Sequence, residues 1–363
     1  MELLILAAKA FIILHVALGL GAVCTWVERK GSALIQDRVG ANRAGAYWYP
    51  KNPLLWPIAP FIRFAGMLGL INTLLNDAVK ALLKEDFVPE GTSTFMHAIG
   101  PFMGVVPVLL AYSVVPLAPD FTLFGYEIQA QMARMNTGLL FILAMGSVAV
   151  YGVVFAGWTG NNKFSLLGAL RACAQMISYE LAMGIVFATL IIGYGTLDLY
   201  SIIESQKDGW GINPLVHPTG WLSFIILFVV GMAETKRGPF DLPESESELV
   251  AGYFTEYSGM KFLLFWLGEF AEIALFALIL TVFFFGGWHI PFVEFPEGVW
   301  WAALIGHGVL MAKVVFFCVL QITIRWTLPR FRYDQLMSLG WKILLPLSLL
   351  NIMITAAMKL AAA

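Results

Sequence analysis

The sequence predicts an all-α, polytopic transmembrane helix bundle. About eight spans are expected, with an interfacial amphipathic helix and a long acidic cytoplasmic loop. Three observations predict this. The 363 residues are 59% hydrophobic and only 13% charged, with a mean hydropathy of +0.79, against about 25% charged in an ordinary soluble domain. Apolar runs of about 20 residues recur along the chain, the length a helix needs to cross the hydrocarbon core. The alternation of about ten residues that marks membrane strands is absent.

The runs place spans at Leu3–Val27, Phe95–Ala118, Thr137–Trp158, Ala172–Gly195, His217–Lys236, Phe262–Gly286, Val299–Ile324 and Leu339–Met358. At roughly 1.5 Å per residue each reaches about 30 Å. The first follows no cleavable-signal pattern, because its apolar part is too long and its basic residues mostly follow it. Residues 54–86 form a separate segment. Pro57, Pro60 and Arg63 interrupt its first half. Its second half, INTLLNDAVKALLKED, sets Leu74, Leu75, Ala78 and Leu82 on one face, away from Asn76, Asp77, Lys80 and Lys84. That is the pattern of a helix lying in the interface, with a ninth span as the alternative. Residues 236–261 form the acidic loop. No repeat or low-complexity linker divides the chain, so 1–363 reads as one membrane domain.

Lysine and arginine set the orientation. The first, third, fifth and seventh loops hold 17 of the 22, counting span ends, while Arg134, Lys207 and Lys359 lie on the other side. This puts the acidic loop on the cytoplasmic or matrix side and both termini opposite, periplasmic in a bacterium. A bacterial inner membrane is the expected location, with the mitochondrial inner membrane as the alternative.

Cofactor chemistry has no footing in the chain itself. Cys24, Cys173 and Cys318 are spread through apolar segments and read as buried thiols. The five histidines share no metal-ligand spacing, and there is no GxGxxG, P-loop or HExxH. His307 reads as a hydrogen-bonded core residue. Lys313, inside the seventh span, is expected to pair with an acid.

The carboxylates are the chemistry-bearing groups. Glu180, Glu234, Glu269 and Glu272 fall in or at the ends of spans, with Glu269 and Glu272 nearly one turn apart on one face. An ionised acid at the bilayer centre costs about 2.5–3.5 kcal/mol. Structural ion pairs with Lys236, Arg237 or Lys313 could account for any single one. Four acids on three helices favour a hydrated proton path, because desolvation and like charge let clustered acids exchange protons near neutrality. In the loop, Asp241 and Glu244 have the spacing of a helix-capping box. Capping leaves Glu246, Glu248 and Glu256 unexplained.

Three stretches carry a resemblance across essentially the whole chain: ERKGSALIQDRVGANRAG, AETKRGPFDLPESESELVAGYFTEYSGMKF and RWTLPRFRYDQLMSLGWK. They resemble the family of H-type membrane subunits of respiratory complex I, whose mitochondrial counterpart is NADH dehydrogenase subunit 1. Ala41 stands where that family has proline, NTLLNDAVKALLKED replaces a more usual QPFADALKLLLKE, YWYPKNPLLWPIAPF is atypical, and Glu272 is an additional acid. The resemblance implies a non-autonomous subunit of a proton-pumping NADH:quinone oxidoreductase, a translocase. It would form part of a quinone chamber, with quinone as the shared substrate. FMN and iron–sulfur clusters would belong to partner subunits. The implied partners are the peripheral-arm quinone-site and terminal iron–sulfur subunits, and the small and antiporter-like membrane-arm subunits. By the same resemblance Arg29, Arg38, Asp77, Lys80, Glu85, Arg237 and Asp241 belong to the chamber, and Glu244, Glu246 and Glu248 to the coupling loop. Glu180, Glu234, Glu256, Glu269 and Glu272 belong to the proton path, and Arg325, Arg330, Arg332 and Asp334 to docking or support. Two alternatives stay open: a homologous subunit of a membrane-bound hydrogenase or ferredoxin- or deazaflavin-linked complex, and a stand-alone ion or proton transporter.

Overall fold

The computed structural model describes residues 2–40, 77–123, 125–214, 216–291, 293, 296 and 298–362. Most of segment 54–86, with the alternative ninth span, lies outside the described residues.

Long apolar sequences make long helices. In order they are α1 (Glu2–Ile35), the short α2 (Asp77–Leu83), α3 (Thr94–Tyr112), α4 (Gly138–Thr159), α5 (Lys163–Tyr194), α6 (Leu199–Glu204) and α7 (Gly220–Glu234). A single turn, α8 (Glu246–Leu249), lies in the acidic loop, followed by α9 (Gly259–Phe284), α10 (Trp300–Thr327), α11 (Tyr333–Ser338) and α12 (Leu345–Ala362). Among the described residues seven helices are long and apolar enough to cross a membrane. The predicted fifth span is shorter than expected: α7 has 15 residues, and His217 and Lys236 fall outside it. At 1.5 Å per residue it covers about 22 Å, and its termini are enclosed by the bundle.

Helix ends follow local chemistry. Ser93 accepts from the Met96 N–H and starts α3, and Asn162 accepts from the Phe164 N–H and starts α5. Asp198 caps α6 through the Tyr200 and Ser201 N–H groups. Each cap satisfies a donor that the first helical turn leaves free. Asn162 moves the start of α5 nine residues ahead of the predicted Ala172, so Glu180 lies deeper along its helix than expected. The α1 helix likewise runs to Ile35 rather than stopping at Val27, carrying Glu28 and Arg29 on a rigid element. Between α11 and α12 the chain widens into a π-helical turn over Leu339–Leu344. Pro346 follows it and cannot donate the regular bond back to Lys342.

The core is built around α9. In its most apolar window 72% of residues are buried, against 22–56% in the other long helices. It packs on α1, α3, α7 and α10. Helices α3 and α4 cross so closely that a side chain on Gly152 would strike the backbone of Gly104 and Met103. Small residues let membrane helices approach this way. At the end opposite the acidic loop, β1 (Phe121–Leu123) pairs antiparallel with β2 (Tyr126–Ile128) and parallel with β3 (Gly298–Val299). These three strands are too short for a readable alternation and have no signal in the residue pattern.

Candidate functional site

All three of the long charged stretches meet at one end of the bundle, the first of them through Glu28. After α7 the chain turns through Lys236 and Arg237 into the acidic loop, and α5 fixes this turn. Gln175 donates from its Nε2 to the Ala233 carbonyl at 2.7 Å and the Phe240 carbonyl at 2.9 Å. The segment after α10 docks on it from the other side. Phe331 stacks on Phe240 with ring centres 5.4 Å apart, its N–H donates to the Pro239 carbonyl, and Arg330 pairs with Asp241 at 3.0 Å. Asp241 therefore serves an ion pair rather than a helix cap. No helix begins at Asp241; α8 starts at Glu246, after Ser245.

From this junction a chain of charged groups runs into the bundle. Arg325 donates to Glu28 Oε1 at 2.6 Å. Arg237 donates from one terminal nitrogen to Glu28 Oε2 and from the other to Glu269 Oε2, both at 3.4 Å. Glu269 accepts a further bond from the Tyr253 hydroxyl at 2.6 Å. Arg237 also lies over the Phe270 ring, 4.2 Å from its centre, a cation–π contact suited to a desolvated guanidinium. Next along the chain, the Lys236 ammonium stands 3.8 Å from Glu272. The side chains of Arg237, Lys236 and Glu269 are only 6%, 7% and 4% exposed. Buried charges in such numbers persist only when each one is paired.

Two cavities lie along the inner part of this chain, around Lys236, Glu269 and Glu272. The smaller, of about 20 Å³, is lined by Lys236, Tyr253, Glu269 and Glu272. The larger, of about 60 Å³, has Glu234, Glu272 and Thr235 on a mostly apolar wall that includes Val108, Met183 and Phe276. Glu272 lines both. A cavity needs at least ~10–15 Å³ to hold a water, so the larger one has room for water beside its two carboxyls. Glu234 Oε2 is buried there without a protein partner, and the charges that act on it are Glu272, Glu180 and Lys236. Glu180 is half-buried and accepts a short hydrogen bond from Ser147 on α4.

In the loop, burial raises the Glu244 carboxyl well above its usual range, and neighbouring Glu269 and Asp241 push the same way. Burial also raises Asp241, against the pull of Arg330 and Arg325. Burial disfavours the Lys236 ammonium, yet Glu272, Glu269 and Glu234 outweigh it and hold its pKa above normal. Tyr253 is raised by burial and by Glu269.

The other expected positions are dispersed. Arg29 pairs with Asp77 at 2.6 Å and lies over Trp266, tying α2 to α1. Arg38 turns back on Gln36, while Lys80 and Glu85 are exposed. Glu248 is 57% exposed and pairs with Arg171 at 2.6 Å, apart from the buried chain. The side chain of Glu246 lies outside the described residues. Glu256 accepts from Asn162 at 2.8 Å. Its carbonyl meets His97, which stacks on Tyr257 and contacts the Lys261 ammonium. Arg332 and Asp334 form an exposed pair.

Lys313 corrects an expectation. Among the described residues it meets no carboxylate; its ammonium donates to the carbonyls of Phe285, Gly287 and His289 at 2.7, 2.8 and 2.6 Å. These carbonyls follow the C-terminus of α9, where a cation is favoured. His307 hydrogen-bonds the Leu117 carbonyl at 3.0 Å.

Sequence reasoning missed Glu28, Gln175 and Tyr253. Glu28 ends an apolar run beside two basic residues and reads as a surface charge; only the packing of α1 against α9 and α10 buries it.

The family model described as NADH dehydrogenase matches residues 8–356. The chain is 42% identical over 355 residues to an H-type subunit of NADH-quinone oxidoreductase from Geobacter metallireducens, covering 98% of this chain and 96% of that one. It is 43% identical over 339 residues to the H-type subunit from Flavobacterium johnsoniae, covering 93% and 89%. To NADH-quinone oxidoreductase subunit 8 of Rhodothermus marinus it is 41% identical over 360 residues, covering 96% of each. With its helix bundle and a match along nearly its full length, the chain belongs to the NADH dehydrogenase family, alongside these subunits of NADH-quinone oxidoreductase.

Proposed function

We propose that this chain forms the membrane side of a quinone chamber and couples quinone reduction to proton translocation through its buried acids. As a family member it is a multi-pass inner-membrane subunit of an oxidoreductase complex, and the other subunits of that complex are its partners. Quinone is the substrate of the complex. The electrons come from NADH through centres held by partner subunits.

One observation carries the coupling reading. Charged side chains continue from Arg325 and Glu28 through Arg237, Glu269 and Tyr253 to Lys236 and Glu272, and end at the cavity holding Glu234. Reducing a quinone takes up two electrons and two protons. A unit charge appearing about 4 Å from a carboxylate acts with about 4 kcal/mol at an effective dielectric near 20. That is enough to shift proton occupancy in Glu244 or Asp241, both already held above their usual range. The loop then passes the change to Arg237, which faces both acids, and so to Glu269. Glu272 and Glu234 carry the proton onward through the hydrated cavity. Arg29, Asp77 and the short α2 belong to the chamber mouth, and Arg330 and Asp241 support its polar wall.

The test uses the assembled complex in proteoliposomes. Replacing Glu269 or Glu234 with Gln should leave the complex assembled while lowering protons moved per quinone reduced. Normal stoichiometry and turnover in both variants would reject the coupling role.

A further inference from the structure

Arg237 uses its two terminal nitrogens on Glu28 and Glu269. Its third donor site, Nε–H, is buried and has no partner among the described residues. Gln321 on α10 is 4% exposed, and neither its carbonyl oxygen nor its amide nitrogen has a partner among the described residues. Both residues line one cavity of about 10 Å³, together with Glu28, Met232, Ile273, Ile322 and Arg325. Three unmatched buried polar atoms thus belong to two residues that line one space the size of a single water, which needs two to four polar partners to be held. The donors and acceptors match. Arg237 Nε–H donates, Gln321 supplies an acceptor through its Oε1, and its amide N–H provides one more donor.

We propose that Gln321 and Arg237 hold one buried water, and that this water fixes the guanidinium plane between Glu28 and Glu269. A guanidinium is rigid and presents its donors in one plane. Anchoring Nε orients both terminal nitrogens at once. Gln321 is therefore a positioning residue, acting on the acid chain through Arg237. It lies on the helix that also supplies Arg325, so α10 grips this junction at two points. The functional half of the inference rests on the coupling role proposed above; the water site does not.

The test is a high-resolution structure of the assembled complex, as wild type and as Gln321→Leu, with the pH profile of quinone reduction for each. In wild type, density is expected at roughly 2.7–3.2 Å from both Arg237 Nε and the Gln321 amide. In Gln321→Leu that density should be lost, Arg237 should turn away from Glu269, and the pH profile should shift. Gln321→Glu, which keeps an acceptor, should restore the water and the Arg237 placement. Absence of the density, where other buried waters are seen, overturns the site. An unmoved Arg237 and an unchanged profile in Gln321→Leu overturn the positioning role. A normal proton stoichiometry in Glu269→Gln, with the density present, rejects the coupling reading and leaves the water site standing.

Discussion

Lys313 illustrates how a single intramembrane charge takes its role from backbone. A helix ending inside a low-dielectric bundle leaves carbonyls that need donors, and the Lys313 ammonium supplies three bonds to them. Replacing it with Met should cost roughly 3–5 kcal/mol, since charge-assisted bonds vanish and the carbonyls stay buried. Lys313→Arg should lose less, because it keeps the charge but spreads its donors over a broad plane. Thermal inactivation midpoints of the purified complex check both. The reading of Lys313 from sequence went to a carboxylate because residue type suggests an ion pair. Carbonyls at a helix end are invisible in sequence until the end of that helix is placed. Glu28 is the converse case: its own neighbours, Arg29 and Lys30, mark it as peripheral, and only tertiary contacts set it between Arg237 and Arg325.

Among the elements, the short α7 and the loop after it carry the junction. Gly231 on α7 faces the Phe276 ring of α9 so closely that a methyl group there would overlap it. Gly231→Ala should destabilise the pair by about 1–3 kcal/mol, as overpacking does, and widen the spacing of Glu234 from Glu272. Limited proteolysis and melting of the complex would detect it. The loop itself should titrate. Burial, then Glu269 and Asp241, hold Glu244 above its ordinary 4.5, against Arg237 and Arg325. The folded protein therefore keeps a proton that the unfolded chain releases. Stability from this group is fully present below pH 4.5 and falls as pH rises toward the folded value. Glu244→Gln should flatten that decline in melting temperature measured from about pH 5 to about pH 8; an identical slope would reject it. The spans were legible because a 20-residue apolar run has few other outcomes in a bilayer. Their ends were not. Asn162 and the turn at Lys236 set the boundaries of α5 and α7 through local bonds that hydropathy ignores. Asp241 and Glu244 satisfied a capping pattern, yet Arg330, distant in sequence, took Asp241 instead.

At the scale of the whole molecule, orientation follows from charge distribution together with the path of the helices. Seven described helices are long enough to cross, and if α7 is counted as an eighth crossing the two described ends lie on the same side. On that count the end of α1 and the loops after α4, α7 and α10 share the other side, and the sequence gathers most of its lysine and arginine in the four loops that follow these helices. Cationic loops are retained on the cytoplasmic face, which we infer places both ends and the small sheet of β1, β2 and β3 outside. On that orientation the acid junction faces the cytoplasm. Cysteine labelling decides this. Cys24 and Cys318 are buried and Cys173 is half-buried, so a background without Cys173 gives a clean start. Glu127→Cys on exposed β2 should react with a membrane-impermeant maleimide added to intact spheroplasts. Arg332→Cys, on the other face and 75% exposed in Arg332 itself, should react only in inverted vesicles. The reverse pattern would turn the chain over and place the acid chain at the wrong face for a coupling role. Labelling of both sites from one side would contradict the eight crossings themselves, and with them the reading of the 15-residue α7 as a crossing element.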